Sequence, residues 1–105
     1  MESGKRYRLN GSKTKLYNLA KKWFPEIVRR KETEFIKYPR SRDCALRFKS
    51  GEYYHRIALM VCAGSPVLCD DFYTYDDDGE AVRHWETIPV TTSELREFGL
   101  VEEVA

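Results

Sequence analysis

Asp71 and Glu86 have the most chemistry to offer, because a two-residue turn at Asp78-Gly79 sets them side by side on neighbouring strands. A type I′ turn needs positive φ at both central positions, and Asp-Gly supplies it. That turn pairs Tyr75 with Val82, Tyr73 with His84, Phe72 with Trp85, Asp71 with Glu86 and Cys69 with Ile88. Two facing carboxylates push their pKa values apart, and His84 with Tyr73 would complete an acid–base constellation. The same residues also read as structure, with Arg56 diagonal to Asp71 as the neutralising cation. Ionic networks commonly imitate catalytic sites, and glycoside hydrolysis by so small a sheet lacks a cleft, so no enzyme is expected.

Other reactive groupings dissolve on inspection. Asp76-Asp77-Asp78-Gly79 has the acidic density of a calcium loop, but an EF-hand pattern begun at Thr74 ends on Trp85, where a bidentate Glu is required. A hairpin tip is expected instead. Cys44, Cys62, Cys69, His55 and His84 show neither CxxC nor His-x3-His spacing, and no cysteine aligns with a histidine across a hairpin. Neither a zinc site nor a thiol nucleophile is expected, and no cofactor. Gly11-Ser12-Lys13-Thr14 lacks the upstream glycine of a phosphate loop.

The elements that position these residues form a meander from Asp43 to Pro89. Ser50-Gly51 closes a second hairpin, setting Phe48 opposite Tyr53, Leu46 opposite His55 and Cys44 opposite Ile57. A bend at Ala63-Gly64-Ser65-Pro66 sets Cys62 opposite Val67, so Ile57 faces Phe72 and Arg56 faces Tyr73. All three bends sort the side chains the same way. Cys44, Leu46, Phe48, Tyr53, Ile57, Leu59, Val61, Leu68, Phe72 and Trp85 form a core face. Arg47, Tyr54, Arg56, Asp71, Tyr73, Tyr75, His84 and Glu86 form a polar, aromatic one. Asp70 falls on the core face; either a bulge at Asp70-Asp71 turns it outward or it sits at the core margin. The cost of burying an unpaired carboxylate favours the bulge.

Around the meander, Lys5 to Leu9 alternates like a short edge strand. Ser12 is placed as the N-cap of a helix whose Leu16, Leu19, Ala20 and Trp23 recur at i, i+3, i+4 and i+7. Pro25 ends that helix or opens a fresh segment carrying Ile27 and Val28. Thr33 to Tyr38 reads as an edge strand beside Cys44 to Lys49, with Pro39 to Asp43 as the turn. Thr91 and Glu94 form a capping box for a short helix through Phe98, with Gly99 as its C′ residue. The predicted fold is one α+β domain over 1–105: an antiparallel meander of four to six strands on an N-terminal amphipathic helix, with a short C-terminal helix. This order is similar to cystatin-like folds in topology, which implies no activity.

The longest apolar run, Ile57 to Ala63, is too short to span a bilayer, and no signal peptide opens the chain. Three cysteines without framework spacing point to free thiols in the cytoplasm. Residues 1–50 hold 15 Lys and Arg against 5 Asp and Glu, net +10, whereas residues 51–105 hold 3 against 12, net −9. The leading expectation is a small binding protein that meets nucleic acid or a nucleoprotein through Lys21, Lys22, Arg29, Arg30, Lys31, Lys37, Arg40 and Arg42. The alternative is a protein-directed inhibitor or adaptor, docking through Tyr54, Arg56, Asp71, Tyr73, Tyr75, His84 and Glu86. In that case Asp70, Asp71, Asp76, Asp77 and Asp78 could imitate a phosphate track.

Overall fold

Glycine-bearing bends decide the register of the sheet, and each sets a register one or two residues from the one simple pair-reading expects. The computed structural model describes residues 6–38, 40 and 42–104; Lys5, Pro39 and Ser41 of the expected strand and turn lie outside them. Strands β1 (Arg6–Leu9), β2 (Lys31–Lys37), β3 (Cys44–Ser50), β4 (Tyr53–Cys62), β5 (Ser65–Tyr75), β6 (Ala81–Pro89) and β7 (Val101–Val104) alternate with helices α1 (Lys13–Trp23), α2 (Pro25–Val28) and α3 (Thr92–Glu97). An antiparallel five-stranded sheet runs β2-β3-β4-β5-β6, and β1 pairs with β7 in a separate ribbon. The fold is α+β, as predicted.

The β3–β4 bend is Gly51-Glu52 rather than Ser50-Gly51, pairing Leu46 with Ile57. Gly51 alone takes positive φ (63°), the pattern of a type II′ turn with glycine first. The β4–β5 bend is Ala63-Gly64, both at positive φ (51° and 81°), pairing Cys62 with Ser65 and Arg56 with Asp71. Pro66 is no obstacle there, because the closing bonds of a two-residue hairpin belong to Cys62 and Ser65; its carbonyl instead accepts from Val90 N. Both differences are shifts of two residues, which leave the faces of β3, β4 and β5 as predicted.

The β5–β6 bend differs by one residue, and the consequence is large. Gly79 (φ 79°) is the last of a three-residue loop: its N–H donates to Asp76 O at 3.0 Å, and Asp76 N donates to Glu80 O at 3.0 Å. The Asp76 carboxylate accepts from Asp78 N and Glu80 N at 3.0 and 2.8 Å, locking this loop against the type I′ alternative that would force Asp78 to positive φ. Tyr75 therefore pairs with Ala81, Tyr73 with Arg83, Asp71 with Trp85 and Asp70 with Glu86. A one-residue slip flips a strand. Trp85 leaves the predicted core face and stands 64% exposed on the opposite side, while His84 and Glu86 turn to the core side.

The predicted bulge at Asp70-Asp71 is absent; both neighbouring registers run through it without a shift. Asp70 stays on the core side, buried, with His55 Nδ1 3.0 Å from its carboxylate. That partner removes the reason for a bulge. Burial holds the Asp70 carboxyl above its ordinary value, with His55 pulling the other way.

Helix α1 starts at Ser12, whose hydroxyl accepts from Lys15 N, and buries Leu16, Leu19 and Ala20 against Phe48, Leu46, Ile57 and Leu59. Trp23 completes the spacing but not the burial, since its indole donates to Glu94 Oε1 at 2.7 Å. Pro25 opens α2 at its first position. Thr91 caps α3 by accepting from Glu94 N, while the Glu94 carboxylate reaches Lys22 and Trp23. Leu100 N to Leu95 O and Gly99 N to Arg96 O close that helix as a Schellman motif around Gly99 (φ 72°). Leu95 and Leu100 then join the core beside Leu9 and Val90.

Candidate functional site

With the core side of the sheet committed to α1, α3 and the small ribbon, the opposite face carries the candidate site. Strand alternation sends Tyr54 and Arg56 of β4, Asp71, Tyr73 and Tyr75 of β5, and Arg83 and Trp85 of β6 to this side. Tyr54, Tyr73, Tyr75 and Trp85 are 41%, 50%, 61% and 64% exposed, an unusual density of bare rings on one surface. Arg47 lies over the Tyr54 ring at 4.5 Å and Arg83 over Trp85 at 5.3 Å, and Tyr75 stacks on Tyr53 at 6.4 Å.

Asp71 is the hub. It lies between Arg56 on one neighbouring strand and Arg83 on the other, accepting from Arg56 Nη2 at 3.1 Å and from Arg83 Nε and Nη2 at 3.0 and 3.3 Å. Arg56 also donates to the Tyr38 hydroxyl at 3.2 Å, and Arg47 to Glu34 at 3.2 Å. The hydrogen bonds that Arg83 donates to Asp71 raise the guanidinium pKa further. Lys31 and Lys49 face each other on the same side. Among the described residues the strands of this face carry Lys31, Arg47, Lys49, Arg56 and Arg83 against Glu34 and Asp71, with Glu52 of the β3–β4 bend lining its far end. A shallow depression of about 510 Å³ runs between Arg47, Tyr54, Arg56, Asp71 and Tyr73. A second, of about 380 Å³, continues past Tyr54 and Tyr73 to Tyr75.

Of the residues predicted to dock a partner, Tyr54, Arg56, Asp71, Tyr73 and Tyr75 are brought together, and His84 and Glu86 are not. His84 stacks on Phe72 (4.9 Å, 13°) while its Nε2 lies 2.8 Å from Thr74 Oγ1, and His55 packs the other side of Phe72 at 4.3 Å. The sheet thus separates Asp71 from His84 and Glu86, and the carboxylate pair expected at Asp71 and Glu86 does not exist. The expected phosphate track fails for related reasons, with Asp70 buried on His55 and Asp71 clamped by two arginines. Among the described residues no three His, Cys, Asp or Glu side chains gather as a metal site.

The eight predicted basic residues do not share a surface. Lys21 and Lys22 belong to α1, Lys22 being paired with Glu94, and Arg29 pairs with Glu26 after α2. Lys31 and Lys37 stand at opposite ends of β2, about 20 Å apart. Of the eight, Lys31 stands on the ring-bearing face. Sequence reading missed Arg83 and Trp85, which the three-residue loop ending at Gly79 would have assigned, because it alone fixes the parity of β6. Searched against known protein families, curated proteins and solved structures, the chain matches none, so the reading of this face rests on its own residues.

Proposed function

We propose that this protein is a non-enzymatic binding module that takes single-stranded nucleic acid on the outer face of its sheet. The supporting observation is the combination of four exposed rings, Tyr54, Tyr73, Tyr75 and Trp85, with the cations Lys31, Arg47, Lys49, Arg56 and Arg83 against Glu34, Glu52 and Asp71 on one surface. Rings stack on any base, cations follow the phosphates, and the mixture tolerates sequence. Bases in a duplex offer no free faces, so unpaired strands are the favoured ligand. Of the basic residues expected to carry binding, this reading keeps Lys31 and adds Arg47, Lys49, Arg56 and Arg83 in place of the rest. Buried Cys44 and Cys69 and exposed Cys62, all free, accord with a reducing, nucleic-acid-containing compartment such as the cytoplasm.

The test is fluorescence anisotropy of a labelled oligothymidylate at two salt concentrations. Binding should weaken steeply with salt. Tyr73→Ala with Tyr75→Ala should cost about 2 kcal/mol or more, roughly thirtyfold in affinity. Absence of binding at low salt, or affinity unmoved by the double substitution, would overturn the proposal. The second reading, a protein partner, is favoured by the same Tyr, Trp and Arg content, since these are the residues that anchor interfaces. Its signature would be specific capture of one protein, insensitive to nuclease and lost with the same double substitution.

A further inference from the structure

The five-stranded sheet ends in two edges that are built differently. β2 carries a register shift at Glu32/Glu34 and lysines at both ends, the devices by which proteins blunt an edge against pairing. β6 has neither the register shift nor the lysines, and its proline stands at its last position. Its nine residues pair with β5 without irregularity, it contains no lysine, and it exposes Val82 on one side and Trp85 on the other.

The direction of its free backbone groups follows from the hairpin. The Asp76–Glu80 bond and the Val90 N to Pro66 O bond mark the even positions of β6 as those bonded to β5. Arg83, Trp85 and Thr87 therefore turn their N–H and C=O groups to the open edge, and Pro89, lacking an N–H, terminates it. We infer that this edge pairs antiparallel with the same edge of a second copy, about a two-fold axis through Trp85. In that register Trp85 faces Trp85 of the second copy, Arg83 faces Thr87, His84 faces Glu86 and Val82 faces Ile88. The open backbone groups meet as hydrogen-bonded pairs, the His84 imidazole meets the Glu86 carboxylate on the core side, and the two aliphatic residues meet there too. Moving the axis to His84 would set Val82 against Glu86, and moving it to Glu86 would set the two Glu86 carboxylates against each other. The contact is isologous, so it closes at two copies. It forms one continuous ten-stranded sheet with the ring-bearing faces flush, independently of what those faces bind.

Sedimentation of the purified chain over a wide concentration range tests the pairing. A reversible monomer–dimer equilibrium is expected. Thr87→Pro removes an edge-facing donor without touching the β5 ladder and should weaken the dimer about tenfold or more. Glu86→Lys, which sets a cation against His84, should act the same way, with circular dichroism confirming that both variants stay folded. In a Cys62→Ser background, Trp85→Cys should cross-link into a covalent dimer on oxidation, since paired strands bring those Cα atoms within disulfide reach; Val82→Cys should not. A chain that stays monomeric at every concentration overturns the inference. So does a dimer that survives Thr87→Pro and leaves Trp85→Cys uncross-linked.

Discussion

Asp71→Asn should tighten nucleic-acid binding, an unusual outcome for deleting the best-connected residue of a surface. Asp71 occupies Arg56 and Arg83 at once, at 3.0–3.3 Å, and its own side chain is only 10% exposed. Phosphates drawn to this face must compete with that carboxylate for the same two guanidinium groups and must also approach its charge. At about 7 Å in water, one carboxylate repels one phosphate by roughly 0.6 kcal/mol. Two phosphates near the hub give about 1 kcal/mol, or about fivefold in affinity at low salt. If both arginines then engage the ligand, the slope of log K against log salt steepens by up to about 1.4 for a single strand.

The amide keeps the shape and one acceptor, so the arginines stay near their positions, and both are exposed enough for solvent to screen the lost attraction. A small fall in Tm is expected alongside the gain in binding. Anisotropy titrations of wild type and Asp71→Asn across a salt series, with thermal melts of each, measure both quantities. Weaker binding by the folded variant, or an unchanged affinity and slope, would show that phosphates do not pass over the Arg56–Arg83 pair, and the proposed interface would fall with it.

Three further outcomes follow from the interior. Burial raises the Asp70 carboxyl, so in the wild type this group favours folding most below its unfolded pKa, near 3.8, and that contribution is lost as pH rises through the higher folded value. Asp70→Asn, which keeps a polar partner for His55, should therefore gain stability relative to wild type as pH climbs out of that range, whereas Asp70→Ala leaves His55 Nδ1 without that partner and should cost about 1–3 kcal/mol in chemical denaturation. A flat difference between wild type and Asp70→Asn from acid to neutral pH would refute the assignment. Gly11→Ala aims a methyl group at Cys44 Sγ, with Cys44 Cβ only 3.1 Å away in the core, and should destabilise by about 1–3 kcal/mol. Much of that should return when Cys44→Ala makes room, as a double-mutant cycle would read. Finally, a thiol reagent at neutral pH should modify Cys62 rapidly, and Cys44, whose pKa burial pushes to about 11, and Cys69 only after unfolding.

How far the sequence carried depends on which interactions set each element. Ser12, Pro25, Thr91 and Gly99 act within a few residues of themselves, and all four do in the structure what their chemistry predicts. Faces on β3, β4 and β5 were also legible, because errors of two residues preserve parity. β6 was not legible from glycine position alone. Its parity turns on the Asp76 side chain choosing a three-residue loop, a decision made by two hydrogen bonds to Asp78 and Glu80. β7 was missed for a different reason: Val101-Glu102-Glu103-Val104 has too short a pattern to announce a strand, and it exists because β1 offers Arg8 to Glu102 and a backbone ladder ninety residues away.

The same contrast explains Asp70 and Asp71. Adjacent in sequence and identical in kind, they point to opposite faces and meet opposite fates, one sealed against His55 and the other spread between two arginines. A rule that treats an acidic pair as a unit sees only a carboxylate excess to be hidden or displayed. Alternation makes them independent. Once Asp71 is understood as the clasp of two arginines and Trp85 as their neighbour, one carboxylate is what orders Arg56 and Arg83 on the ring-bearing face, as Glu34 does Arg47. The charge imbalance between the two halves is partly spent elsewhere, where Arg8 meets Glu102 and Lys22 meets Glu94, and on the proposed reading a ligand would meet a ring-bearing face whose cations outnumber its carboxylates.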